Sequence, residues 1–174
     1  GRLGVRFNTY FGKNNNNEFE ITGYGTIKYF ERTSLEYRII NRYGLGATFR
    51  FVNQSKIFGR DNEFSVGSDF LYQTGTIEYY NNIGGKKGDI LSKIIDGTIA
   101  NTGFYFQNSF NLIKGKFDLL ITGRYDKVIF DEKNQIFEVQ NSRRQFEAFT
   151  PKAALNYKFT PSVAAYTSFG LSFD

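Results

Sequence analysis

Several residue types are absent from this chain of 174 residues, and each absence excludes a kind of chemistry. It contains no Cys, Met, Trp or His. Without His and Cys, neither a Ser-His nor a Cys-His nucleophile system can be assembled, and the usual imidazole and thiolate metal ligands are missing. The Asp and Glu residues are scattered, with no close pair that forms an acid/base couple. We therefore expect no enzyme activity, no catalytic residue, no metal site and no cofactor.

Long apolar runs are also lacking. Hydrophobic residues make up 40% of the chain and the mean hydropathy is -0.41, so no stretch approaches the roughly eighteen apolar residues that a spanning helix requires. Only 2 Pro occur beside 18 Gly, 20 Phe and 12 Tyr, a composition typical of a sheet with few missing ladder donors. The net charge is +5, but the cations are dispersed among 17 acidic residues, so we expect no nucleic-acid partner.

What the chain does contain is long alternation of apolar and polar residues. From Tyr43 to Val52, one face would carry Tyr, Leu, Ala and two Phe, and the other would carry two Gly, Thr, Arg and Val. Strands of soluble domains usually last about five or six residues, whereas a tilted strand that crosses a bilayer needs roughly nine to eleven. The pattern predicts an all-β protein, a segment of an antiparallel transmembrane β-barrel. Its predicted strands are Arg2–Phe11, Glu18–Phe30, Tyr43–Val52, Glu63–Tyr80, Thr102–Leu112, Lys116–Phe130, Phe146–Phe159 and Ser162–Phe173.

The connections between these strands fall into two classes. Gly12–Asn17, Asn53–Asn62, Ile113–Gly115 and Thr160–Pro161 are short or moderate, whereas Glu31–Arg42, Asn81–Asn101 and Asp131–Gln145 are long and polar. Because consecutive strands run antiparallel, the two classes lie at opposite ends of the sheet, as in outer-membrane barrels. Only the segment that contains Ile90, Leu91, Ile94 and Ile95 has a helical spacing.

The two faces predict opposite surroundings. We expect the charged residues Arg50, Asp69, Arg124, Asp126 and Lys152, together with Lys158, to face a hydrated lumen, where they could contact a plug or form an internal salt-bridge ladder. The opposite face should expose Phe49, Phe51, Leu119, Ile121, Leu155 and Phe169 to lipid. A soluble ligand-binding barrel has the same period with its apolar side inward, and that alternative remains open.

Three passages resemble TonB-dependent outer-membrane receptors. Thr102–Asn108 (TGFYFQN) with Leu119–Asp126 (LLITGRYD) is similar to the family's TGxYxQD and LxLxxGxRYD pattern. Phe149–Ser162 (FTPKAALNYKFTPS) is similar to its FSPKxGLNYxxTP strand, and Ser65–Asp69 (SVGSD) to its LxVGxDY strand. The passages occur in the family's order and cover about residues 63 to 174. Asn108 stands where the family usually has Asp.

The resemblance implies a siderophore-receptor type of protein in the outer membrane of a Gram-negative bacterium. Residues 1–174 would supply about eight strands from the middle of a plugged barrel of roughly 22 strands, with the plug and the closing strands outside this chain. The implied partners are outer-membrane lipid, a nutrient chelate such as a ferric siderophore, and the TonB complex through the plug. A complete eight-stranded barrel with a structural or adhesive role is the other membrane alternative.

The long connections contain the residues that we expect at a ligand-binding mouth. Guanidinium groups can donate charge-assisted hydrogen bonds to an anionic chelate, and Tyr rings can stack on it. Each residue could equally be an ordinary solvated loop residue. The candidates are Arg38, Arg42, Tyr79, Tyr80, Arg143 and Arg144.

Overall fold

The computed structural model describes residues 1–136 and 141–172. Within them, all regular structure except a short 3-10 turn at Lys13–Asn15 is antiparallel strand, as predicted. Each strand pairs with its neighbours in sequence, which gives one eight-stranded meander. The strands are β1 (Arg2–Phe11), β2 (Asn17–Thr33), β3 (Glu36–Ile57), β4 (Arg60–Ile83), β5 (Lys86–Ile113), β6 (Phe117–Asn134), β7 (Ser142–Thr160) and β8 (Val163–Gly170).

The sheet is open. Among the described residues, β1 pairs with β2 alone and β8 pairs with β7 alone, so the first and last strands do not meet. The structure therefore does not form a closed barrel of eight strands. No helix in the described part of the chain is long and apolar enough to cross a membrane.

Two of the predicted long loops are wrong, because they are mostly strand. β2 and β3 continue until only Ser34 and Leu35 separate them, and β4 and β5 are separated by Gly84 and Gly85. Both glycines have positive φ, of 60° and 85°, as a tight hairpin turn requires. The helical spacing around Ile94 also belongs to a strand, β5. Beyond the apolar part of the sheet both faces meet polar surroundings, so the sequence alternation ends although the backbone pairing continues.

Two further connections are also shorter than predicted, whereas β8 is shorter than the predicted last strand and ends at Gly170. The predicted connection Asn53–Asn62 shrinks to a turn at Phe58 and Gly59. Within the predicted loop Asp131–Gln145, β6 continues to Asn134 and β7 begins at Ser142; residues 137–140 lie outside the described residues, as does Phe173 at the end of the last predicted strand. We name the end of the sheet with the β2–β3, β4–β5 and β6–β7 connections the hairpin end, and the opposite end the turn end.

Strand register separates the two faces as the alternation predicts. Arg50 pairs with Gly67, Gly67 with Tyr105 and Tyr105 with Arg124, so this row lies on one side, the polar face. Phe49 begins a neighbouring row on the other side, the apolar face. All the side chains predicted to face lipid lie on the apolar face: Phe49, Phe51, Leu119, Ile121, Leu155 and Phe169. The charged ones predicted to face a lumen lie on the polar face: Arg50, Asp69, Arg124, Asp126, Lys152 and Lys158.

The apolar residues form a band that is inclined to the hydrogen-bonded rows. On β3 the band ends at Phe51 on the turn side, and a row of partners leads from Phe51 through Val66, Phe106 and Gly123 to Pro151. Pro151, however, lies near the hairpin side of the band on β7. The band is inclined to the rows of paired residues. For it to lie parallel to the membrane plane, the strands must be tilted from the barrel axis, as they are in a barrel wall.

The apolar face has no protein layer packed against it among the described residues. Leu3 is 78% exposed, Val5 75% and Phe169 75%, and the only buried hydrophobic residues in the described parts of the chain are Ile40, Val52 and Ile95. A soluble barrel would hide such a band in its core, so the structure does not support that alternative.

Candidate functional site

The polar face is strongly basic at the hairpin end. Lys28 lies directly opposite Arg42, and Arg32 directly opposite Arg38, on β2 and β3. Like charges in facing positions destabilise a sheet. We name as the basic face the cations that share this region of the polar face: Lys28, Arg32, Arg38, Arg42, Lys93 and Arg144.

An aromatic ring lies between two of these cations. The Arg38 guanidinium carbon is 4.9 Å from the centroid of the Tyr79 ring, and the Lys93 amine is 5.7 Å from it. Glu36 approaches Arg38 at 3.4 Å, a long ion pair. Arg38 Nε has no hydrogen-bond partner within residues 1–136 and 141–172. The cluster thus carries positive charge that one long ion pair offsets only in part.

A small cavity joins Arg42 to Arg144. Its volume is about 180 Å³, and Gly75 and Gly97, which face each other on β4 and β5, form its floor. A Cβ at Gly75 would collide with the carbonyl oxygen of Asn41, so the close strand packing here requires glycine. Ile77, Ile95 and Phe130 supply apolar wall, and Gln73 and Glu132 supply polar atoms. The cavity could hold a small planar or anionic group between two guanidinium groups.

The structure thus gathers four of the six predicted ligand residues on the polar face, namely Arg38, Arg42, Tyr79 and Arg144. The other two lie on the opposite side. Tyr80 donates a hydrogen bond to Glu78 Oε2 at 2.7 Å and its ring lies under the amine of Lys87 at 3.9 Å. Arg143 is the register partner of Asp131. Ligand contact remains a prediction for all six.

Lys28, Arg32 and Lys93 were not predicted as ligand residues. Arg32 and Lys93 fall where the sequence predicts loops, and without strand register nothing brings them beside Arg38 and Tyr79. One signal in the sequence was available for Arg32. Alternate residues of a strand lie on the same face, so counting from Lys28 through Phe30 places Arg32 on the polar face near the end of β2.

Nearer the middle of the polar face, several charges are paired. Arg124 contacts Asp69 at 2.8 Å and Asp126 at 2.7 Å. Gly103 lies between these carboxylates in register, and a Cβ there would collide with the guanidinium group. The absent side chain therefore lets Arg124 reach across β5. Arg6 pairs with Glu20, and at the turn end Lys158 pairs with Asp118 at 3.1 Å. These ion pairs form an internal salt-bridge ladder, which is one of the two alternatives predicted for the charged residues. The other alternative, contact with a plug, remains a prediction.

Beyond the apolar band, Glu31 lies near the tip of the β2–β3 hairpin. It accepts hydrogen bonds from Tyr29 and Tyr37, which lower the pKa of its carboxyl below the ordinary value. The described residues contain no cluster of three or more His, Cys, Asp or Glu side chains that could hold a metal ion.

Comparison with known proteins identifies the family. A family model described as TonB dependent receptor-like, beta-barrel, matches residues 1–174. The ferric citrate transporter FecA, in its unliganded form, superposes with a TM-score of 0.79 at 15% identity, over 97% of this chain and 27% of FecA. The alcaligin receptor FauA from Bordetella pertussis gives 0.77 at 20% identity, over 96% of this chain and 27% of FauA.

The ferric-catecholate import receptor Fiu from E. coli K12 gives 0.74 at 11% identity, over 98% of this chain and 35% of Fiu. These identities establish the fold alone, and the chain spans about a quarter to a third of each of these proteins. A search of curated protein sequences finds no match. Because the family model covers the whole chain, the chain belongs to the TonB-dependent receptor β-barrel family and is a protein of the Gram-negative outer membrane.

Proposed function

We propose that this chain is part of the barrel of an outer-membrane receptor that binds an anionic ferric chelate at its outward end and imports it with energy from the TonB system. The observation that carries the proposal is the basic face, where cations lie opposite cations on paired strands. Because facing like charges destabilise a sheet, these cation pairs become favourable only when an anion lies between or above them.

The geometry of the basic face suits a bulky anion with planar groups. Arg42 and Arg144 line the same cavity, and guanidinium groups bind carboxylate-like oxygens through paired hydrogen bonds. Tyr79, already between Arg38 and Lys93, offers a ring face beside positive charge. FecA, FauA and Fiu are named for ferric citrate, alcaligin and ferric catecholates, and the charge of the basic face favours the same broad class of ligand here.

The open sheet supports a second element of the proposal, that residues 1–174 are one part of a larger plugged barrel. The exposed edges of β1 and β8 would pair with neighbouring strands, since an unpaired edge is a liability in any sheet and cannot lie in lipid. The plug and its contact with TonB would belong to the rest of the receptor, and the paired charges around Arg124 would line the wall beside the plug.

The test is a comparison of adjacent arginines in the full-length receptor. Arg144→Ala combined with Arg42→Ala removes both guanidinium groups from the cavity, whereas Arg143→Ala removes one from the opposite face. Binding of radiolabelled ferric citrate, ferric catecholate and ferric hydroxamate chelates to whole cells is measured at low and high salt. We expect the double variant to lose roughly tenfold or more in affinity for the chelate that the receptor binds, most strongly at low salt.

Arg143→Ala should leave that affinity unchanged. Surface labelling confirms equal amounts of receptor in each strain. Equal affinity and equal salt dependence in wild type and double variant would contradict the proposed ligand site, and failure of all three chelates to bind the wild type would contradict the proposed substrate class.

A further inference from the structure

The cavity between Arg42 and Arg144 also contains a carboxylate. Glu132 of β6 lies in the same row of register partners as Arg42, and Gly75 and Gly97 separate the two side chains. The backbones of Arg42 and Glu132 are three strand spacings apart, about 14 Å. Arg144, on the next strand, is the diagonal neighbour of Glu132. Charged groups of both signs therefore line one cavity.

These three charged groups do not neutralise one another. Diagonal neighbours in a sheet are close enough for long side chains to meet. Among the described residues, however, Glu132, Arg42 and Arg144 form no ion pair. Arg124, in contrast, contacts two carboxylates. The cavity thus presents separate positive and negative groups, which complement a ligand group that itself carries both charges.

The size and walls of the cavity narrow the choice of that group. Its volume is about 180 Å³. Such a volume holds roughly six water molecules, and an α-amino carboxylate with its first side-chain carbon has about the same number of non-hydrogen atoms. Ile77, Ile95 and Phe130 offer van der Waals contacts to its carbon atoms. A group with negative charge alone would lie beside Glu132 and be repelled by it.

We propose, as a refinement that rests on the function proposed above, that the cavity binds an α-amino carboxylate end group of the chelate, as found in an amino acid. The carboxylate accepts hydrogen bonds from Arg42 and Arg144, and the ammonium donates to Glu132. The rest of the chelate remains outside the cavity, which is too small for it. Glu132 is then the residue that selects this end group over a plain carboxylate.

The test uses three ferric hydroxamate chelates that differ in one pendant carboxylate, whose α-carbon carries an ammonium, a hydroxyl or only hydrogen. Their binding is measured on whole cells that produce full-length wild-type receptor, Glu132→Gln or Asp131→Asn. Asp131 precedes Glu132 on β6 but lies on the opposite face, beside Arg143, and so provides the matched control. Surface labelling confirms equal amounts of receptor in each strain.

We expect wild type to bind the ammonium chelate about tenfold more tightly than the chelate with hydrogen, because only the former makes the charge-assisted hydrogen bond to Glu132. Glu132→Gln should reduce this ratio to about twofold or less, since the amide carries no charge. Asp131→Asn should retain the wild-type ratio. A loss of the ratio in Glu132→Gln alone supports the proposed end group.

Four outcomes would overturn the proposal. Equal affinity of wild type for the three chelates would show that no ammonium is recognised, and if Arg42→Ala with Arg144→Ala still weakened all three, the proposed ligand site would stand without this end group. Tightest binding of the hydroxyl chelate would assign the cavity to a hydroxy acid. An equal loss for all three in Glu132→Gln would make Glu132 a positioning residue. Absence of binding for all three would reject the end group, while binding of ferric citrate or catecholate would leave the proposed function intact.

Discussion

The middle and the hairpin end of the polar face are both rich in charge, but they use it differently. In the middle, Arg124 lies between Asp69 and Asp126. At the hairpin end, Arg42 faces Lys28 and Arg38 faces Arg32. Arg124 and its two carboxylates satisfy their own charges and so stiffen the wall. The hairpin end leaves a positive potential that an anionic ligand could satisfy.

Glycines accompany both arrangements and serve opposite purposes. Gly103 removes a side chain so that Arg124 can cross β5 and meet two carboxylates. Gly75 and Gly97 remove side chains between Arg42 and Arg144 and leave a cavity. The absence of a side chain thus allows an ion-pair network in one region and leaves a cavity in the other. The charges around the glycine decide which of the two results.

Among the variants that test the difference between the middle and the hairpin end of the polar face, we expect Arg124→Ala to have the largest effect. The change leaves Asp69 and Asp126 close together without their cation, and we expect a loss of about 1–3 kcal/mol in unfolding free energy, reduced from the buried-pair range because these groups are partly exposed. Thermal unfolding of the detergent-solubilised receptor measures it. Arg50→Ala is the control, since Arg50 lies on the same face and forms no ion pair within the described residues.

Chelate affinity should be unchanged in Arg124→Ala. An equal loss of stability in the two variants would remove the distinction between paired and unpaired cations, and a loss of affinity without loss of stability would move the binding site to the middle of the wall.

Tyr79→Leu should weaken chelate binding by roughly threefold to tenfold, because the chelate could no longer stack on the ring beside Arg38 and Lys93. Tyr80→Leu removes the next ring along β4, which contacts Glu78 and Lys87 on the opposite side, and should leave affinity unchanged. Whole-cell binding of the chelate compares the two. A greater loss in Tyr80→Leu would place the ligand on the wrong face for this proposal.

Arg32→Glu separates the two roles of the basic face. Opposite Arg38 it replaces a like-charge pair with an attractive one, which should stabilise the β2–β3 hairpin by about 0.2–1 kcal/mol. It should also weaken binding of an anionic chelate. Hydrogen exchange of hairpin amides and chelate binding measure the two effects, with Lys114→Glu in an exposed turn at the turn end as the control for net charge. Stronger binding together with a more stable hairpin would refute an anion site.

The sequence predicts the strands within the apolar band better than those beyond it. Between Tyr43 and Val52, one apolar and one polar face produce a strict alternation, and the strand and its two faces are confirmed. From Asn81 onward both faces of the hairpin meet polar surroundings, so the alternation disappears, and the part of β5 before Thr102 was predicted as a loop. The basic face depends on the register of the β2–β3 and β4–β5 hairpins, and therefore Arg32 could not be placed opposite Arg38, or Lys93 opposite Tyr79, from sequence.

The smallest effect concerns pH at the tip of the β2–β3 hairpin, where Glu31 accepts hydrogen bonds from Tyr29 and Tyr37. Because these bonds lower the pKa of the folded-state carboxyl below its ordinary 4.5, their stabilisation is complete above about pH 4.5 and is lost as the pH falls through the lowered value. Hydrogen exchange of hairpin amides should therefore quicken on acidification in the wild type, relative to the rate expected for an unstructured chain. Tyr37→Phe should show a smaller change, because its Glu31 has lost one stabilising donor and its pKa lies nearer the ordinary value. Identical pH profiles for the two proteins would mean that the carboxyl does not hold this hairpin, and that the charges of the basic face alone set its stability.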